Sequence, residues 1–142
     1  HIVGMFATSS VTGALIKRFG LITIMVTGVA LNAACVAVAL TGAEVVHFWL
    51  AMLLLGVGWN FMFVGATSLL TEAHTPTERA KVQGINDAII FTTLVLSSLS
   101  SGVLFTFQGW QIMNLSALPF LLLAGAGLIW LALRRRPTAR AA

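Results

Sequence analysis

Apolar residues in this chain come in long uncharged runs, broken by short polar clusters. Residues 19–43, 45–71 and 88–133 contain no Asp, Glu, Lys or Arg. About 20 mostly apolar residues are enough to cross a bilayer as a helix. The first two runs suit one span each. The third suits two, with a polar break at Gln108-Gly109-Trp110-Gln111. A further apolar stretch, His1 to Ile16, precedes Lys17. In lipid every backbone N–H and C=O needs an internal partner, so such runs form helices or closed-barrel strands. Barrel strands alternate apolar and polar residues with period two. Ala51-Met52-Leu53-Leu54-Leu55 does not alternate, so helices are expected.

The pattern predicts an all-α, polytopic membrane bundle of about five transmembrane helices, at about 1–16, 20–41, 45–71, 76–106 and 111–133. The bundle fills residues 1–136, and residues 137–142 form a disordered cytoplasmic tail. The first stretch is short for a span and the chain opens on His1, which reads as a helix cut at its start and the whole as a fragment. It is not a signal peptide, because Lys17 and Arg18 follow the apolar run instead of preceding it.

Composition sharpens this picture. Of the 142 residues 58% are hydrophobic and 8% charged, against roughly 25% charged in soluble domains. The net charge of +4 does not point to nucleic acid, because the basic residues lie in short clusters beside apolar runs. Lys17 and Arg18 follow helix one, Arg79 and Lys81 lie between helices three and four, and Arg134, Arg135, Arg136 and Arg140 follow helix five. With five spans all eight fall on one side, which the positive-inside rule makes the cytoplasm. The expected location is the cell (inner or plasma) membrane, multi-pass, with a cytoplasmic C-terminus. Trp49 and Trp110 then suit the outer aromatic belt.

Local signals add detail. Thr75, Pro76 and Glu78 read as N-cap, first helical residue and capping-box acid of helix four. From Pro76 to Thr106 that helix would run about 46 Å at about 1.5 Å per residue, so its first turns should project beyond the roughly 30 Å hydrocarbon core. Pro119 is expected to kink helix five. Ala33 and Ala37, Ser97 and Ser101, and Ser98 and Gly102 sit at the spacing that lets helices approach closely.

Few residues could carry chemistry. Asn60 lies near the middle of helix three. A buried amide must be hydrogen-bonded, so it is either a solute or water contact or an interhelical tie. Asp87 is the one acid near an apolar core. It shares a helix face with Gln83 and Asn86, as the inner mouth of a cavity or as a solvated helix end. His47 reads as interfacial and His74 as solvated, His1 lies too near the cut start of helix one to be interpreted, and Cys35 reads as a small hydrophobe. There is no phosphate-binding glycine loop, no metal-ligand spacing, no nucleophile beside a base and no cofactor signature. The chain does not read as an enzyme.

Gly13-Ala14-Leu15-Ile16-Lys17-Arg18-Phe19-Gly20 resembles the loop signature of the major facilitator superfamily: Gly, three residues, an acid, Arg, any residue, Gly, two basic residues. Gly13, Arg18 and Gly20 match. Lys17 replaces the acid, and Leu21-Ile22 replace the basic pair. This favours the degenerate copy found between helices eight and nine, so the resemblance implies helices eight to twelve of a C-terminal half. It implies a secondary transporter, a symporter or antiporter, that moves a small-molecule solute by alternating access. The partners implied are the lipid bilayer and a missing N-terminal half, with about seven further helices upstream. Asn60, Thr8, Ser9 and Ser10 then become candidates for the substrate path. Glu72, Glu78 and Arg79 become members of a cytoplasmic charge network, with Arg18 and Glu72 as a pair. Two alternatives stand beside this reading: a small dimeric multidrug-type exporter, which would want an acid that helix one lacks, and a non-transporting scaffold or assembly protein.

Overall fold

The computed structural model describes residues 1–42, 44–73, 75 and 77–135. Among them the chain forms five α-helices and no strand: α1 (Ile2–Phe19), α2 (Leu21–Thr41), α3 (Val45–Glu72), α4 (Arg79–Leu115) and α5 (Leu118–Arg135). Three stretches are long and apolar enough to cross a membrane: Leu21–Thr41, Val45–Glu72 and Arg79–Arg135, which holds α4, a turn and α5. The expected tail, 137–142, lies outside the described residues.

The α2–α3 pair is the centre of the bundle, with α1 packed mainly on α3 and α5 on α2. Glycines bring α2 and α3 together. A Cβ on Gly28 would stand 2.9 Å from the Gly58 carbonyl, and one on Gly58 2.8 Å from Asn32 Nδ2. Backbones this close exclude side chains and maximise dispersion contact, which replaces the hydrophobic drive that lipid does not supply. Gly4 and Gly56 do the same for α1 and α3, where a Cβ on Gly4 would lie 3.3 Å from Gly56 Cα.

Helix four is different. None of its residues is buried among the described residues, and Ile89, Phe91, Leu99 and Val103 are exposed. Its contact with the bundle is at its far end, where Trp110 donates Nε1–H to the Ala39 carbonyl at 2.9 Å and lies tilted 6.4 Å from the Phe48 ring.

Three local expectations are corrected. The polar break at 108–111 is not a loop. Gly109 alone leaves helical geometry (φ 78°, ψ 179°), a positive φ open to glycine, and the helix resumes to Leu115. The chain then turns at Ser116-Ala117. Pro119 therefore falls in the first turn of α5, where no hydrogen bond is lost and no kink follows. Helix four begins at Arg79, with Glu78 as its N-cap and no side-chain cap. The Thr75 hydroxyl donates to the Glu78 carboxylate at 2.8 Å, and the Glu78 N–H donates to the Thr75 carbonyl at 3.1 Å. The expected box residues thus form a turn ahead of the helix. Pro76 and His74 lie outside the described residues.

Candidate functional site: a polar clasp between the first and third helices

Asn60 is 5% exposed and Thr12 is fully buried. The Asn60 Nδ2 donates to the Met5 carbonyl at 2.8 Å, and the Thr12 hydroxyl donates to Asn60 Oδ1 at 2.6 Å. The amide orientation follows from chemistry. A carbonyl only accepts, so the nitrogen must face Met5 and the oxygen must face Thr12. The same Thr12 oxygen lies 2.7 Å from the Thr8 carbonyl. Thr8 in turn donates to the Gly4 carbonyl at 2.7 Å. The clasp thus uses both ends of the Asn60 amide to bind α3 to α1.

Of the other candidates on α1, Thr8 is half-buried beside the clasp, whereas Ser9 and Ser10 are exposed. Gln83, Asn86 and Asp87 come together on α4. Gln83 Nε2 donates to Asp87 Oδ1 at 3.3 Å, and Asn86 Nδ2 lies 3.4 Å from the same oxygen. All three are part-buried.

The loop-motif residues end α1. Gly20 takes a positive φ of 88° and its N–H donates to the Ile16 carbonyl. Gly13 has open space where a Cβ would go. Lys17 and Arg18 are exposed, and the Arg18 guanidinium lies 5.3 Å from the centre of the Phe19 ring. The expected Arg18–Glu72 pair is replaced. Glu72 binds Arg135 Nη1 at 3.2 Å, because α5 ends beside the end of α3. Glu78 is engaged by Thr75, and Arg79 is exposed in the first turn of α4. Among the described residues no group of three or more His, Cys, Asp or Glu could hold a metal ion.

Two buried polar residues escaped sequence reading. Thr12 is signalled by its four-residue spacing from Gly4 and Thr8, which stacks all three on one helix face. Asn32, 9% exposed, donates to the Gly28 carbonyl at 2.9 Å and lies four residues past that crossing glycine. It borders a cavity of about 440 Å³ whose other walls include Cys35, Phe48, Trp110 and Phe120.

Comparison with known proteins places these features in a family. The sequence profile described as the Major Facilitator Superfamily matches residues 1–142. The chain belongs to this family. Over 142 residues it is 44% identical to a riboflavin transporter, RfnT, of Brucella anthropi, a match covering 100% of this chain and 35% of that protein. It is 33% identical over 132 residues to YddS, an uncharacterized MFS-type transporter of Bacillus subtilis, covering 92% of this chain and 30% of the relative. YdeG of the same organism, also an uncharacterized MFS-type transporter, is 33% identical over 106 residues, covering 73% of this chain and 24% of the relative. The chain thus spans about a third or less of the curated relatives it matches. No solved structure matches. Family membership makes this chain part of a multi-pass membrane transporter family, and the apolar helices suit that setting.

Proposed function

We propose that this chain supplies helices eight to twelve of a secondary transporter that moves a small solute by alternating access, with riboflavin the first solute to test. The single observation that carries the reading is the 44% identity to a riboflavin transporter along the whole chain. Alternating access is the mechanism of transporter folds whose two halves rock about a midplane site. In this reading the N-terminal half lies upstream, and α1 and α3 face the solute path. Thr8, Ser9 and Ser10 border that path. Asn60 serves by fixing α1 against α3. Gln83, Asn86 and Asp87 line the inner mouth.

The chain lies in the cell membrane with its basic ends in the cytoplasm. This orientation agrees with the positions of Lys17, Arg18, Arg79, Lys81, Arg134 and Arg135 under the positive-inside rule. The Glu72–Arg135 pair belongs to that cytoplasmic face, and Trp110 with Phe48 to the opposite one. The test is uptake of labelled riboflavin by cells that cannot make it, expressing the full-length protein. Saturable uptake above vector controls is expected. Verified membrane expression with no uptake would defeat riboflavin as the solute.

A further inference from the structure

We propose that the cavity between α2, α3, α5 and the C-terminal part of α4 is a binding site, separate from the solute path, for a flat aromatic molecule with a single N–H or O–H donor at its edge. The cavity measures about 440 Å³. Its floor is buried and consists of Cys35, Val36 and Ala39 of α2 and Ala51 of α3. Phe48 and Phe120, both exposed, border its opening. No residue of α1 lines it, and neither does Asn60, Gln83, Asn86 or Asp87. It therefore shares no residue with the proposed solute path.

Asn32 decides the chemistry. It is nine-tenths buried and lines the cavity. Its Nδ2 donates to the Gly28 carbonyl at 2.9 Å and lies 3.7 Å from Met62 Sδ. A carbonyl only accepts, so the nitrogen faces Gly28 and both its protons are engaged. Oδ1 is left with no hydrogen-bond partner among the described residues. An unpaired amide oxygen at this depth is unfavourable, because lipid supplies no donor. The nearby indole donor is spent, since Trp110 Nε1–H goes to the Ala39 carbonyl. A buried water wants two to four polar partners, and the floor offers it one strong one. A donor on the ligand therefore completes Asn32. The walls set the rest. The rings of Phe48, Trp110 and Phe120 and the thioethers of Met52 and Met113 favour an aromatic occupant. An apolar cavity of about 150 Å³ holds one benzene ring, so this one takes about three fused rings. The flavin ring system does not suit it, because the carbonyls flanking its N–H would find no donor at the floor. An occupant also braces α4, none of whose described residues is buried.

The probe is carbazole, three fused rings with one N–H. Fluorene, with a methylene in place of the N–H, is its donor-free match. Binding of tritiated carbazole is measured on full-length protein in lipid nanodiscs, with empty nanodiscs subtracted. Saturable binding is expected. Unlabelled fluorene should compete at least about fivefold more weakly than unlabelled carbazole, the low end of the gain from pairing a buried acceptor. Asn32→Leu keeps the branched shape and removes the acceptor, and should abolish that difference. Ala117→Phe, on a half-buried wall of the cavity, should remove saturable binding by filling the space. Riboflavin should leave carbazole bound. Absence of saturable binding to the parent would overturn the site. So would equal competition by fluorene, a preference kept in Asn32→Leu, or unchanged binding in Ala117→Phe. Displacement by riboflavin would move the probe to the solute path and overturn the site too. Should Asn32→Leu fail to fold, the fluorene comparison in the parent and Ala117→Phe still decide. These readouts need no transport, so the site stands or falls apart from the choice of solute.

Discussion

The Thr12 hydroxyl of α1 meets the Asn60 amide oxygen of α3 at 2.6 Å, across 48 residues of sequence. On the far side of that amide stands the Met5 carbonyl, 2.8 Å from Nδ2. This geometry ranks two substitutions against intuition. Asn60→Asp has almost the same shape but places a second acceptor against Met5. Asn60→Ala removes both bonds and leaves Thr12 its alternative acceptor at Thr8. The alanine variant should lose about 1 kcal/mol, within the range measured for interhelical bonds in membranes. The aspartate variant should lose several times more at alkaline pH, where the carboxylate has no proton for Met5, and should recover as pH falls, because a protonated carboxyl donates to that carbonyl again. Thermal melting of the full-length protein in detergent decides it, and an aspartate variant as stable as the alanine one at alkaline pH would contradict the assigned amide orientation.

The α2–α3 crossing makes a second prediction. A Cβ on Gly58 would stand 2.8 Å from Asn32 Nδ2 and 2.9 Å from the Gly28 carbonyl. One of these neighbours is backbone and cannot yield cheaply. Gly58→Ala should destabilise by about 1–3 kcal/mol through overpacking. Gly84→Ala is the control. It lies within α4 with nothing within 4 Å of the added carbon, and should gain about 0.5–1 kcal/mol from helix propensity. The two melts should move in opposite directions.

How far the fold could be read from the sequence depended on the scale of the feature. Bilayer crossing is a property of whole runs, so the uncharged stretches 19–43 and 45–71 coincide closely with α2 and α3. A buried amide at Asn60 was expected on the same logic, since one polar group in a long apolar run must find a partner. Its partner could not be read. Threonine in a helix commonly satisfies itself on the preceding turn, so Thr12 looks self-sufficient in sequence while also reaching α3. The C-terminal end of α4 is hidden in the sequence for a similar reason. A single positive-φ glycine, Gly109, diverts the helix without ending it, whereas a cluster of polar residues around it suggests a loop. The partner of Glu72 depends on where α5 finishes, a tertiary fact that no loop motif encodes.

Trp110 fixes the C-terminal part of α4 to α2. Its indole N–H donates to the Ala39 carbonyl at 2.9 Å, and Phe48 packs at a tilt 6.4 Å away. Trp110→Phe retains the ring and loses the bond, and should cost about 1 kcal/mol. Trp110→Ala also loses the part-buried ring surface and should cost about 2 kcal/mol, less than a fully buried ring. Little else ties α4 to the bundle among the described residues, so limited proteolysis near Gly109 should accelerate in the alanine variant and hardly change in the phenylalanine one. Identical protease sensitivity would mean that the indole does not hold this end.

The Glu72–Arg135 pair is the last relationship to weigh, because loop ion pairs are readily credited with holding one conformation. Its side chains are 56% and 45% exposed, at 3.2 Å. Exposed pairs contribute about 0–1 kcal/mol, since water screens the attraction and both side chains give up rotamer freedom. Salt at about 0.15 M shortens the range further, to about 8 Å. Glu72→Gln and Arg135→Gln should therefore each lower the melting free energy by less than about 1 kcal/mol. The difference from the parent should vanish near 1 M salt, where the screening length is about 3 Å. The charge exchange Glu72→Arg with Arg135→Glu should recover most of the effect. If either single variant instead lost about 3 kcal/mol or more, the pair would be buried in the working conformation. The exposed geometry would then be one of two arrangements, with the paired ends of α3 and α5 moving against each other.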